Sequence, residues 1–304
     1  MIRRSADLMA AGDMSSVDQA PVDPRQVRRS FTRAARTYDE ADVLQTEIRE
    51  RLLERLQWVQ LAPEVVLDLG AGTGKALPAL AERYPQARLI GLDVTPAMLQ
   101  RAADRPGPAA LLVCADAARL PFPDQSVDLI FSNLALHWSP ALDQLLAEVR
   151  RVLRPPGLFT FTTPGPQSYR ELRAAWRTVD DAPHVMPFPE MRALGDGLVR
   201  AGLAEPVLDA ETLTLTYRDF GQLLADLRST GTTNPHVARR RGLMGRHAWA
   251  RLSAAYEAQR DADGLLPATF EVVYGQAWAP AATRRRRSPD DEIGVSLAAI
   301  GRRP

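Results

Sequence analysis

The sequence predicts an α/β fold built on a doubly wound, mostly parallel sheet. Residues 65–74 read Val-Val-Leu-Asp-Leu-Gly-Ala-Gly-Thr-Gly, an apolar run that breaks into a turn with glycine at 70, 72 and 74. Short apolar runs then alternate with amphipathic helical stretches as far as residue 163. Alternation of this kind implies a parallel sheet with both faces covered by helices. Asp93, Asp116 and Asn133 follow the ends of successive runs. That is the edge where open α/β sheets bind ligands.

The glycine turn is the strongest single signal. A strand ending in such a turn brings backbone N–H groups close to a ligand, because glycine has no Cβ to block the approach. Its spacing is G-x-G-x-G after the acid Asp68, not the dinucleotide pattern G-x-G-x-x-G. A phosphate-binding P-loop is excluded. Lys75 follows Gly74, but the first glycine of that motif would fall on Leu69. Asp93 stands 25 residues after Asp68, at the end of the next strand, where a carboxylate can accept from ribose hydroxyls.

Composition narrows the class. The chain has 304 residues, 45% apolar and 25% charged, with formal net charge +1, which suits a globular protein with one large domain or a domain and a lid. One cysteine, Cys114, excludes an intrachain disulfide and points to a reducing, cytoplasmic compartment. It lies in an apolar strand and is expected to be a packed thiol. Four histidines, at 137, 184, 236 and 247, lack metal-ligand spacing, so no metal is expected. No apolar run reaches 18 residues, and the first 20 residues hold no signal core. Neither a membrane nor a nucleic acid is expected as partner, and oligomeric state is not legible.

In chain order, residues 1–22 are polar, without periodicity, and expected to be disordered. Residues 23–60 form a helical cap. Asp23 caps a first helix with Pro24 in its first turn, and Arg-rich 27–38 carries Phe31, Ala34, Ala35 and Tyr38 at helical spacing. Two readings of that segment stand: a solvated basic helix, or a helix closing over the cofactor with Tyr38 as its cap. A second helix spans 41–59. The core, 61–218, has strands at about 65–69, 87–92, 110–114, 127–132 and 158–163, and a further strand within 207–217. About 50 residues, 219–266, then separate the last two strands. That is too long for a plain connection, so a helical lid insertion near the ligand edge is expected, with 239–259 basic and helical. A final strand occupies 267–280, and residues 281–304, which include Arg284–Arg287, form a basic tail expected to be disordered.

Asp68-Leu-Gly-Ala-Gly-Thr-Gly74, Asp93, Cys114-Ala-Asp116-Ala and Asp128-Leu-Ile-Phe-Ser-Asn133 resemble the successive motifs of class I S-adenosyl-L-methionine (SAM) methyltransferases. The resemblance covers about residues 60–165. It implies a Rossmann-like sheet whose last strand is antiparallel. It also implies that Asp68, Gly70, Gly72 and Gly74 serve the methionine part of SAM, Asp93 with Val94 the ribose, and Asp116 with Ala117 the adenine, with Asn133 at the same site. S-adenosyl-L-homocysteine would be the product.

A closer resemblance runs over nearly the whole chain. Phe31-Thr-Arg-Ala-Ala-Arg-Thr-Tyr38-Asp39, Ser132-Asn-Leu-Ala-Leu-His-Trp138, Tyr169-Arg-Glu-Leu-Arg173, Leu227-Arg-Ser-Thr-Gly231-Thr-Thr-Asn234 and Pro267-Ala-Thr-Phe-Glu-Val-Val-Tyr274-Gly-Gln-Ala-Trp278 resemble the methyltransferases of biotin synthesis that esterify malonyl-acyl carrier protein. Many of that family carry Gln where this chain has His137. A related group, the SAM-dependent arginine hydroxylases that assist assembly of respiratory complex I, also has His-Trp there and is the competing reading. A hydroxylase needs an oxidant, and the sequence holds no metal or flavin motif for one.

The methyltransferase resemblance implies transfer of a methyl group to the free carboxylate of malonyl-acyl carrier protein or malonyl-CoA. That carboxylate is already ionised at neutral pH, so no general base is required. Tyr38, His137 and Trp138 are the candidate catalytic positions. Arg228, in the insertion, is the natural partner for the substrate's carboxylate, although a surface arginine on an amphipathic helix is the plainer reading. Arg239, Arg240, Arg241 and Arg246 are candidates for docking the acidic carrier protein, against the plainer reading of a solvated face.

Overall fold

The structure, a computed structural model, describes residues 21–281. Residues 1–20 and 282–304, most of the two stretches expected to be disordered, lie outside the described residues. Val22 corrects the boundary of the first: it is buried and bridges His236 in antiparallel fashion.

The chain opens with α1 (Pro24–Ala34), α2 (Tyr38–Ala41) and α3 (Val43–Arg55). The Asp23 carboxylate caps α1 by accepting from the N–H groups of Arg25 and Gln26, and Pro24 opens the helix, as the sequence predicts. The core follows as β1 (Val65–Leu69), α4 (Leu77–Arg83), β2 (Arg88–Asp93), α5 (Pro96–Asp104), β3 (Ala110–Cys114), β4 (Val127–Ser132), α6 (Leu142–Val152) and β5 (Leu153–Pro164). Then come α7 (Arg170–Arg177), α8 (Met191–Arg200), β6 (Ala204–Tyr217), α9 (Phe220–Ser229), α10 (Arg246–Glu257) and β7 (Leu266–Trp278).

The seven strands lie in the order β3-β2-β1-β4-β5-β7-β6. Neighbours from β3 to β5 are parallel, and β7, the last strand, runs antiparallel to both β5 and β6. Successive side chains of a strand point to opposite faces, and the two cores follow from that. Val65, Leu67 and Leu69 pack with Leu145, Val149 and Val152 of α6 and Leu198 of α8. Val66 packs with Ile48 and Leu52 of α3 and Leu80 of α4. Both faces are therefore covered, and the end of β1 between them is held from each side.

Two local expectations are corrected. Cys114 is exposed rather than packed, because β3 is an edge strand of the sheet. The insertion 219–266 is not one basic helix beyond residue 239. Residues 236–245 are irregular, and α10 begins only at Arg246. Leu252 and Tyr256 of α10 pack with Leu172 of α7 and Leu223 of α9, so α10 belongs to a helical layer rather than to the cover of the ligand edge.

Candidate active site

A cavity of about 350 Å³ opens at the carboxyl ends of β1, β2 and β4. Its floor is the glycine turn. The N–H groups of Gly70 and Ala71 donate to Leu92 O at 2.8 and 2.9 Å, which fastens the turn to the end of β2. Gly70 lies at φ +81°, and a Cβ there would stand 2.3 Å from the Cβ of Ala135. Gly72, at φ +54°, has nothing within 4 Å of where its Cβ would be. Bare backbone therefore faces open space. Gly74 does not line the cavity. It lets the turn pack on Ala102 of α5.

The two acids at this end are in different states of use. The Asp93 carboxylate accepts from Gly72 N–H at 3.0 Å and from Thr95 N–H at 2.7 Å. Burial raises its pKa. Asp68 is 2% exposed, and its Oδ2 has no partner among the described residues. Burial, helped by the nearby Asp93 charge and opposed by Arg49, pushes Asp68 up to about 7. The cavity-lining Gln45 also has a buried Oε1 without a partner. Asp68 is not among the residues that line the cavity, whereas Gln45 is, and a buried amide oxygen without a donor on the wall suits an ammonium group. The methionine end of SAM carries one, so the residues fit that cofactor.

Val94, Asp116 and Ala117 line the next stretch of wall. Asn133 lines it too, but its side chain is engaged. Nδ2 donates to Gln45 O at 3.0 Å and Oδ1 accepts from Thr162 Oγ1 at 2.7 Å, which ties α3 to the sheet.

Tyr38 lines the cavity as well. Burial first, then the Asp42 and Asp93 carboxylates, raise its pKa, so the phenol stays protonated. Its position is fixed by charges on either side of the glycine turn. Asp39 accepts from Thr73 Oγ1 at 2.5 Å and pairs with Arg105. Lys75 donates to Asp42 Oδ1 at 2.6 Å. Lys75, which follows the turn without forming a P-loop, therefore anchors the N-terminal cap to the turn.

His137 and Trp138 sit above the floor. The ring centroids are 4.5 Å apart, and Trp138 meets Phe31 of α1 edge-on at 5.3 Å. His137 Nδ1 is buried without a partner among the described residues, and burial depresses the imidazole pKa to about 3. It is neutral at any physiological pH.

The cover comes from three separated segments, not from the insertion alone. Val27 and Phe31 of α1 pack with Met186, Phe188 and Trp138. Ser30 Oγ meets Thr233 Oγ1 at 2.8 Å, and Asn234 Nδ2 donates to Pro183 O at 2.6 Å. One face of α1 lines the cavity and the other is solvated, while Tyr38 lies beyond it in α2. Arg228 lines the cavity at an exposed position. Arg239 and Arg240 do not line it. Arg239 pairs with Asp23 at 3.2 Å and Arg240 with Asp180 at 3.1 Å, so both charges are already committed within the cover. Arg241 and Arg246 also lie off the cavity and enter no ion pair among the described residues.

Sequence reasoning did not single out Gln45, Tyr169, Trp176 or His184, all of which line the cavity. Tyr169 is held at φ +56° between β5 and α7, an uncommon conformation for an aromatic residue and one that recurs at functional sites. Burial raises its pKa. The sequence did carry one signal, since Tyr169 begins one of the family-like stretches. His184 stacks on Trp176 with centroids 3.5 Å apart, and its Nε2 bonds to Asp180 at 2.6 Å. No signal marked that pair.

Comparison with known proteins follows the same lines. The Methyltransferase domain family matches residues 67–161. A malonyl-(acyl-carrier protein) O-methyltransferase from Laribacter hongkongensis is 47% identical over 278 residues, covering 88% of this chain and 93% of the relative. One from Halorhodospira halophila is 45% identical over 301 residues, covering 97% and 99%. Among solved structures, the YcgJ protein of Bacillus subtilis shares the fold, with a TM-score of 0.55 at 19% identity over 78% of this chain and 99% of that one.

Proposed function

The chain belongs to the malonyl-(acyl-carrier protein) O-methyltransferase family, and from that membership we propose that it methylates the free carboxylate of malonyl-acyl carrier protein with SAM as methyl donor. One observation carries the choice of nucleophile. The cavity's phenols and its buried imidazole are all set against taking a proton. Burial raises Tyr38 and Tyr169 and depresses His137 to about 3. The second imidazole on the wall, His184, stacks on Trp176 and bonds Asp180 through Nε2. Such a site serves a substrate that arrives deprotonated, and a carboxylate with a pKa of about 4 does so.

When bound, SAM supplies an electrophilic methyl group on a sulfonium centre. The chain's residues hold and align the reactants. We assign Gly70, Gly72 and Asp68 to the amino-acid end of the cofactor, Asp93 and Val94 to the ribose, and Asp116 and Ala117 to the adenine. Tyr38, Tyr169 and His137 are neutral hydrogen-bonding groups around the remaining space. Neutral partners orient a carboxylate without the strong pairing that would blunt its attack. Phe31, Trp138 and Phe188 exclude water, which strengthens every electrostatic interaction inside. The rate then comes from alignment of the carboxylate oxygen with the methyl carbon. Arg228, being exposed, is assigned to an anionic part of the substrate outside the apolar chamber.

The test is transfer of label from methyl-labelled SAM to malonyl-acyl carrier protein, with release of the label by mild alkali as expected for a methyl ester. Label on protein arginine side chains, or none on the carrier, would overturn the proposal.

A further inference from the structure

The exposed face of α1 presents Arg25, Arg28, Arg29 and Arg33, and Arg36 follows the helix, also exposed. The first four recur at spacings of three and four residues, so they share one side of the helix. The opposite side, with Val27, Ser30 and Ala34, is buried. The helix holds no acidic residue. None of these five arginines enters an ion pair among the described residues, whereas Arg239, beside the same helix, is paired.

This arrangement works against the helix that carries it. Like charges three and four residues apart repel, and Arg25 in the first turn faces the positive end of the macrodipole. Folding gains nothing from it. The face also borders the cavity. Arg28 lines it from α1 and Arg228 from α9, and α1 packs on the end of α9, where a Cβ on Gly231 would stand 3.1 Å from both Phe31 and Ala34.

We propose that the arginine face of α1 is the docking surface for the acidic carrier protein, with the acyl-bearing arm entering the cavity between Arg28 and Arg228. The inference rests on the methyltransferase reading above. It moves the dock away from Arg239 and Arg240, whose charges are spent inside the cover. Charge complementarity selects the occupant: an uncompensated cationic face suits an acidic protein surface, and the phosphodiester at the base of the arm suits the two arginines at the mouth.

The experiment compares wild type with the triple variant Arg25→Glu/Arg29→Glu/Arg33→Glu on two substrates, malonyl-acyl carrier protein and malonyl-N-acetylcysteamine, which has neither phosphate nor carrier. Rim charges act mainly on association, so KM for the carrier substrate should rise by roughly tenfold or more with kcat little changed. Kinetics with the small thioester should not move, and S-adenosylhomocysteine should bind the variant as it binds wild type. The Arg→Lys triple variant should behave as wild type. Added salt should slow wild type on the carrier substrate and leave the Glu variant much less affected. An unchanged KM for the carrier substrate would overturn the inference, as would equal losses on both substrates in a variant that still binds S-adenosylhomocysteine. If wild type methylates neither substrate, the catalytic reading falls. The docking inference is then decided by direct binding of the carrier protein to the two chains, where equal affinity rejects it.

Discussion

The proposed pairing of Asp68 with the cofactor's amino group would tie local chemistry to affinity. Its carboxyl is 2% exposed and pushed up to about 7, first by burial and then by the Asp93 charge. A raised carboxyl pKa means the folded state holds its proton above the usual carboxylate range. The stability this gives is therefore present at low pH and lost as pH rises through about 7. Cofactor binding runs the other way. An ammonium at Oδ2 favours the ionised carboxylate, so below pH 7 the free protein must release a proton to bind. Affinity for S-adenosylhomocysteine should fall about tenfold for each pH unit below 7 and level off above it, until the ligand's own amino group deprotonates near 8. Calorimetry in buffers of different ionisation enthalpy should detect that proton release at pH 6. Asp68→Asn should bind more weakly and lose the slope in this range. A wild-type affinity flat between pH 6 and 7 would reject the pairing of Asp68 with the amino group.

At the scale of elements, the N-terminal cap and the glycine turn act as one piece because Lys75 and Arg105 fasten them. Asp42 is 4% exposed and its Oδ1 depends on Lys75, which is itself only partly covered. Removing Lys75 leaves the buried Asp42 with only Arg49, 4.0 Å from its Oδ2, and the Thr46 hydroxyl at 3.2 Å, so its charge is poorly compensated. Lys75→Met should therefore cost about 2–4 kcal/mol by chemical denaturation, the lower end reflecting the exposure of the lysine. It should also weaken S-adenosylhomocysteine binding, because Tyr38 and the turn lose their common anchor. A variant of unchanged stability would show that the network contributes nothing net.

The same elements mark how far the sequence could be read. The strand, turn and helix at 65–83 were legible because local chemistry dictates them: apolar β-branched residues, then glycine, then helix formers. Asp93, Asp116 and Asn133 were placed at one edge because strand ends in a parallel sheet share it. Strand order is a long-range property, so the exposure of Cys114 on the edge strand was not legible. Neither was the cover, whose three segments meet only after folding. Arg239 and Arg240 read as free charges for the same reason. Their partners Asp23 and Asp180 lie 216 and 60 residues away in sequence.

Over the whole molecule, the cover should behave as a unit, because each of its segments is held by another. The Asp23 N–H donates to Pro235 O and the Val237 N–H to Pro21 O, both at 2.9 Å. Arg239 reaches back to the cap residue Asp23. Few bonds join residues 21–23 to 235–239, yet they set how α1 lies over the cavity, and α1 carries Phe31 into contact with Trp138. A chain beginning at Pro24 loses both backbone bonds and the helix cap, whereas one beginning at Pro21 keeps them. Hydrogen exchange should separate the two: the shorter chain should lose amide protection over 24–34 and over 230–240 together. Turnover should fall on the carrier-bound and the small malonyl thioester alike, because water exclusion fails for both. Arg239→Ala should give a weaker version of the same pattern, unlike the substrate-selective effect expected at Arg25, Arg29 and Arg33. If protection is lost over α1 alone, or if the small thioester turns over normally, the three segments do not form one cover.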